Sequence, residues 1–277
     1  MTIDATVGFL HPGAMGSVVA AQCRAQTRLW VDAGRSEASA ERAAAAGLLP
    51  VSTLDELAEQ ANVIVSVCPP SAAGDVAARV AHAGFTGIYV DANAIAPDGA
   101  RAIGERFEQF VDASIVGLPP TSPGTTRLYL SGPQDLTTQV QALWDGSLFD
   151  ARTIGESIGA ASALKMAYAG WTKGSMALLL NMAALAEAEE VSEALRAEWE
   201  MSIPDLLPRL ERGGRGAAKK AWRFSGEMRE IAATLAAAGL PDGFHLSAQE
   251  IYEQLAVFKD VDPTVAEVLS QLLASDQ

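Results

Sequence analysis

Residues 5–17 read Ala5-Thr6-Val7-Gly8-Phe9-Leu10-His11-Pro12-Gly13-Ala14-Met15-Gly16-Ser17. The first six residues make a short apolar run of strand length, a glycine turn follows, and from Ser17 the residues favour a helix. A dinucleotide site needs those three parts in that order. The turn lets the backbone approach a pyrophosphate, and the helix start offers it unpaired N–H groups. Gly13 and Gly16 occupy the second and third glycine positions of G-x-G-x-x-G, with His11 at the first. The candidate cofactor-binding residues of this turn are His11, Pro12, Gly13, Ala14, Met15 and Gly16. The alternative is a glycine turn in some other α/β protein. The placing of the motif directly behind a strand, at the head of the chain, favours phosphate binding.

Outward from the turn, the chain has two rhythms. Short apolar runs recur at 5–10, 28–31, 63–67, 87–90 and 110–112, with a further one at 127–130, and they are mostly apolar on both faces, as buried parallel strands are. Helical stretches lie between them. One is expected over 17–26, and Thr53 with Glu56 has capping-box spacing ahead of Leu57. Strands alternating with helices imply βαβ units. Past residue 155 the strand signals stop. The stretch 159–191 has no proline and is rich in Ala, Leu and Met, enough for one helix of roughly 45–50 Å. Further helices are expected at 193–201, 203–211, 217–238, 247–259 and 263–273. The fold class is therefore an α/β Rossmann domain, residues 1–155, followed by an all-α domain, residues 156–277. The long helix is apolar on more than one face, so a homodimer that buries it is expected.

Composition narrows the function. A formal net charge of −14 argues against nucleic acid and anionic membranes as partners, because both need a cationic surface. The start of the chain lacks the basic end and apolar core of a signal peptide. Cys23 and Cys68 lie in apolar stretches without a CxxC neighbour, which suits reduced thiols and a cytoplasmic setting. No histidine, cysteine or carboxylate cluster has metal-ligand spacing. A small-molecule substrate is the expected partner.

The turn resembles the opening of the β-hydroxyacid dehydrogenase group, which includes 6-phosphogluconate dehydrogenase and the imine reductases and begins close to G-F-I-G-L-G-x-M-G. Four later segments resemble the same group in order. Val67-Cys68-Pro69-Pro70 is similar to its proline-containing loop along the cofactor, and Val90-Asp91-Ala92-Asn93 to the strand end beside the nicotinamide. Asp112-Ala113-Ser114-Ile115-Val116-Gly117 is similar to its substrate segment D-A-P-V-S-G-G. Residues 155–165 are similar to the glycine-containing approach to its catalytic lysine. The resemblance implies cofactor contacts from Cys68, Pro69, Pro70 and Asn93, substrate contacts from Ser114 and Gly117, and Lys165 as the general acid or base. It is nearest to a less-characterised subgroup with an HPGxMG turn.

The residues themselves support part of this. An ammonium at Lys165, flanked by Leu164, Met166 and Tyr168 on an apolar helix, is suited to proton transfer, although a lysine snorkelling to solvent has the same local sequence. At the end of the second strand, Asp32 suits the ribose hydroxyls of NAD, whereas Arg35 with Ser36 suits the 2′-phosphate of NADP, which is favoured. Val116, Leu118 and Ala169 stand where the group carries polar or small residues around a hydroxy acid. This argues against a simple 3-hydroxy acid, and further against decarboxylation of a sugar acid. Aromatic and basic residues of the last third, Trp222 with Arg223 and Phe224, and Phe244 with His245, complete the candidates. Of these, Tyr168, Trp222 and His245 are assigned to the substrate. The basic run from Arg209 to Arg223 reads as a solvated helical face, an anion site being the alternative. The expected activity is NAD(P)-dependent interconversion of an alcohol and a carbonyl. The alternatives are imine reductase-like C=N reduction and a non-catalytic cofactor-binding protein.

Overall fold

The computed structural model describes residues 2–274. Its strands are β1 (Ile3–Leu10), β2 (Ala25–Val31), β3 (Leu49–Val51), β4 (Val63–Ser66), β5 (Ile88–Asp91), β6 (Phe110–Val116), β7 (Thr126–Ser131) and β8 (Phe149–Gly155). Between them run α1 (Ala14–Gln22), α2 (Glu37–Ala45), α3 (Leu54–Gln60), α4 (Ala73–His82), α5 (Pro97–Gly104) and α6 (Gln134–Ala142). After β8 come α7 (Ala160–Ala188), α8 (Ser192–Ser202), α9 (Leu206–Ala218), α10 (Ala221–Ala237), α11 (Gly243–Gln254) and α12 (Val265–Leu273). The architecture is a mostly parallel Rossmann-type sheet with helices, followed by an all-helical region. By contacts the chain divides into two compact units, Met1–Lys165 and Met166–Gln277, so the division falls inside α7.

The strands form one sheet in the order β3-β2-β1-β4-β5-β6-β7-β8. All neighbours are parallel except β6 and β7. Alternating residues explain how both faces are buried. Val7, Phe9, Val65, Val90 and Val111 point into one core, closed by residues such as Val19 of α1 and Val140 of α6. Leu10, Ile64, Tyr89 and Phe110 point into the other, closed by Leu57 of α3, Val76 of α4 and Ile103 of α5. The chain runs outward from β1 to β3 and then returns to place β4 against β1. The C-terminal ends of β1 and β4 therefore flank the point where the strand order reverses, where sheets of this type bind ligands.

Two edge strands, one short and one polar, are not among the expected ones. β3 is three residues long with Pro50 in the middle, which a sheet tolerates at its edge because no neighbour needs the missing N–H. β8 is the opposite edge and is half-exposed, so its residues Asp150, Arg152 and Thr153 are polar. The helix expected over 17–26 instead opens at Ala14, inside the glycine turn, and ends at Gln22 to let β2 begin. The helix expected over 217–238 is broken at Lys219–Lys220.

In the helical unit, α9 carries Gly213 and Gly214 where it lies tightly against α7. A Cβ at Gly213 would come within 2.4 Å of Met176 Cε, and one at Gly214 within 3.1 Å of Leu180 Cδ2. Met228 and Ile231 of α10, Tyr252 of α11 and Val268 of α12 are buried. The Tyr252 hydroxyl donates to the Lys173 carbonyl at 2.8 Å. Lys173 also pairs with Glu227 and lies 4.4 Å from the Phe224 ring centroid. Among the described residues no helix is long and apolar enough to cross a membrane.

Candidate functional site

β1 ends at Leu10 and delivers the chain to His11, whose φ of 65° lies in the left-handed region that glycine usually supplies. The His11 carbonyl folds back to accept from Gly13 N at 2.7 Å, closing the turn. That carbonyl also explains Gly16, where a Cβ would sit 2.6 Å from the His11 oxygen. Gly13 differs. Its φ is −75°, open to any residue, and a Cβ there would meet nothing within 4 Å. The missing side chain therefore leaves room at the start of α1, a helix with no side-chain cap on its first amides. Open space beside uncapped amides fits a pyrophosphate. Pro12 accepts from Arg42 Nε at 3.1 Å, tying the turn to α2, and Met15 is partly buried against the core. Ser36 precedes α2 with its hydroxyl 3.1 Å from that of Ser39.

Beyond the ends of β1, β2 and β3 lies a cavity of about 220 Å³, lined by His11, Val31, Arg35, Thr53, Arg79 and Val80 among others. Its polar character is cationic, with no carboxylate among the lining residues. Burial, then the like charge of Arg79, depresses the pKa of Arg35. Burial, then Arg35 and Arg79, pushes His11 down to about 4, so the imidazole is neutral at physiological pH. His11 Nδ1 is buried and meets no hydrogen-bond partner among the described residues. Asp32 is exposed and absent from the lining. Nothing in the sequence around Arg79, on α4, distinguishes it from any surface arginine; the fold brings it to the cavity that Arg35 also lines.

The Cys68-Pro69-Pro70 loop is held from the neighbouring strand. Asn93 Oδ1 accepts from Cys68 N at 2.6 Å, and its Nδ2 donates to Ser66 Oγ at 3.1 Å and Asp91 Oδ2 at 2.9 Å. Asp91 and Asn93 are almost wholly buried. Burial raises the Asp91 carboxyl to about 7, against the two Asn93 donors and helped by Asp112. Its folded pKa thus lies above the unfolded value, so its contribution to stability is full below about pH 4 and is lost as pH rises through about 7. Asp91→Asn cannot ionise. Relative to wild type, it is expected to gain about 2 kcal/mol in unfolding free energy between pH 5 and pH 8, checked by urea titrations at each pH. A pH-independent difference would defeat this.

β6 carries Asp112, Ser114 and Val116 on one face, all buried. Ser114 Oγ meets no partner among the described residues. Gly117 follows with φ of 129°. Lys165 Nζ donates to the Ile115 carbonyl at 2.6 Å. Asp112, not singled out by sequence, accepts from Ser131 Oγ at 3.0 Å, Ser162 N at 3.0 Å and Ser162 Oγ at 2.7 Å. The structure thus brings His11 and Arg35 together, Cys68 and Asn93 together, and Ser114 onto the strand that holds Lys165.

The other candidates belong to the helical unit. Tyr168 and Trp222 are about half exposed. His245 lies against the glycine notch of α7, its Nε2 3.2 Å from the Gly170 carbonyl and its Nδ1 buried without a partner among the described residues. Within the basic run, Arg215 and Lys219 both pair with Asp262, Arg209 bonds Ser175, and Arg223 lies over Trp222. Among the described residues no group of three His, Cys, Asp or Glu is placed to hold a metal ion.

Residues 186–255 match a family model described as a domain of unknown function, DUF1932. No curated protein matches the chain. Solved structures do. A conserved protein of unknown function, described as structurally similar to 3-hydroxyacid dehydrogenases, is 27% identical with a TM-score of 0.69, over 90% of this chain and 96% of that one. The 3-hydroxyisobutyrate dehydrogenase of Mycobacterium tuberculosis is 17% identical with a TM-score of 0.71, over 98% of this chain and 100% of that one. An imine reductase variant from Myxococcus stipitatus, solved with NAD+, is 18% identical with a TM-score of 0.57, over 98% and 100%. The structural neighbours of this chain thus include 3-hydroxyacid dehydrogenases and imine reductases, and the DUF1932 match lies within its C-terminal helical unit.

Proposed function

We propose that the chain is a nicotinamide-dependent oxidoreductase that interconverts an alcohol and a carbonyl, using NADP in preference to NAD. The observation that carries the cofactor is the glycine turn, open at Gly13, beside a cavity lined by two arginines and no carboxylate. The bound cofactor supplies the hydride. The α1 amides hold its pyrophosphate, Arg35 and Arg79 its 2′-phosphate, and the loop fixed by Asn93 lies along it. Lys165 Nζ, held by the Ile115 carbonyl, gives a proton to the forming alkoxide or takes one from the alcohol. Val116, on the strand that holds Lys165, is buried and offers no polar group, which favours a substrate less polar than a small hydroxy acid. Absorbance of NADPH with ketones, keto acids and imines, and of NADP with hydroxy acids, tests this. Turnover of imines alone would point to C=N reduction. Tight cofactor binding without turnover of any set would mark a cofactor-binding protein.

The working unit is proposed to be a homodimer. Tyr168, Trp171, Leu178 and Leu185 of α7 are exposed by 47%, 72%, 44% and 52%. Steps of three and seven residues place them on one side of the helix, as a seam for a second helix does. A second copy of this chain is the expected occupant. Sedimentation should give a dimer at micromolar concentration and Trp171→Glu a monomer; a monomeric wild type would overturn this.

A further inference from the structure

The start of α7 is capped in an unusual way. Its first residues follow Gly159, which has no side chain to offer. Two strands supply the cap instead. Ser131 Oγ of β7 accepts from Ala161 N at 3.0 Å, and Asp112 of β6 accepts from Ser162 N at 3.0 Å and Ser162 Oγ at 2.7 Å. Ser131 in turn donates to Asp112 at 3.0 Å, so the cap is one connected network. Asp112, Ser131 and Ser162 are exposed by 0%, 0% and 1%. One helical turn beyond Ser162 stands Lys165, and three residues beyond Asp112 stands Ile115, whose carbonyl receives the Lys165 ammonium at 2.6 Å. The same strand and the same helix are therefore tied twice, once through Asp112 and Ser162 and once through Ile115 and Lys165.

Capping alone does not account for a buried carboxylate. A local Ser or Thr cap contributes about 1 kcal/mol, whereas burying a carboxylate costs several. Asp112 also pairs in register with Asp91 on β5, a second buried carboxylate. Among the described residues Asp91 accepts from Asn93, while Asp112 faces the start of α7 and two hydroxyls. Burial raises the Asp112 carboxyl above its ordinary value, the donors of Ser162 and Ser131 work against that, and the group sits at the positive end of the helix that carries the lysine.

We propose that Asp112, through Ser162 and Ser131, is a positioning residue that fixes the first turn of α7 against β6 and so sets where Lys165 Nζ lies. Its catalytic consequence rests on Lys165 acting as proposed above. Displacing a reacting group by about 1 Å costs roughly 10²-fold. Asp112→Ala is therefore expected to lower kcat by roughly 10²-fold, leaving KM for the cofactor unchanged. Asp112→Asn keeps one oxygen for Ser162 N and Ser131, and its amide can donate to Ser162 Oγ once that hydroxyl turns. It should restore most of kcat.

A readout independent of turnover uses the whole protein with its lysines reductively 13C-methylated. The Lys165 signal, assigned from its absence in Lys165→Arg, should move to the position of solvent-exposed lysines in Asp112→Ala and stay in Asp112→Asn. If Asp112→Ala does not fold, Ser131→Ala and Ser162→Ala, which each remove part of the network, should move the signal in the same direction. An unmoved signal in every folded variant overturns the proposal. So does a kcat loss in Asp112→Ala that multiplies with that of Lys165→Ala, since residues acting through one group are not additive. A moved signal with no turnover in any chain, wild type included, upholds the positioning and defeats the oxidoreductase reading instead.

Discussion

Lys165→Ala is expected to lower kcat by roughly 10² to 10⁴-fold, the contribution of a positioned general acid, while leaving cofactor affinity intact. The separation follows from placement. The turn that is open to the pyrophosphate lies at Gly13, between β1 and α1, and the arginines line a cavity beyond β1 to β3, whereas Lys165 is tied to the carbonyl of Ile115 on β6. Lys165→Arg is expected to be nearly as poor, because a guanidinium keeps its proton at any working pH and cannot relay it. Nicotinamide fluorescence follows binding and absorbance follows turnover, so the two effects are read apart. A near-normal kcat in Lys165→Ala would remove this residue from the chemistry and leave Tyr168 and His245 as the groups to test.

The second large effect concerns cofactor choice. Arg35→Ala and Arg79→Ala are each expected to raise the dissociation constant for NADPH by roughly 10 to 100-fold, as loss of a hydrogen bond to a charged group does. NADH, which lacks the 2′-phosphate, should change by less than about threefold. The physical basis is a pair of like charges beside a shared cavity. Burial and Arg79 both disfavour the charge on Arg35, and an anion bound there relieves both. The neutral imidazole of His11 adds no third charge. Equal losses for the two cofactors would defeat the phosphate reading and turn attention to Asp32.

Periodicity and glycine spacing made the Rossmann unit legible, because both depend on local geometry. Val7, Phe9, Val65 and Val90 had to be apolar whichever helix covered them, since a parallel strand is buried on both faces. Gly16 had to be glycine for reasons of space, since the carbonyl its Cβ would strike belongs to His11, five residues earlier. Edge strands are less legible for the opposite reason: β3 is only three residues long and β8 is half-solvated and polar.

The site divides in the same way. Lys165, Arg35 and Asn93 stood in motifs and could be named from sequence. Arg79, Asp91 and Asp112 could not be given roles, because a role that depends on burial or on a partner distant in sequence leaves no local trace. Asp112 and Ser162 lie 50 residues apart, and Asp91 meets Asp112 only through the pairing of β5 with β6. By itself the sequence determined the strand-turn-helix with its glycine turn and the alternation of strands and helices that follows it. Only the tertiary structure decided which charges share a cavity and which carboxylate is buried against the start of α7, since both follow from the order in which the strands assemble.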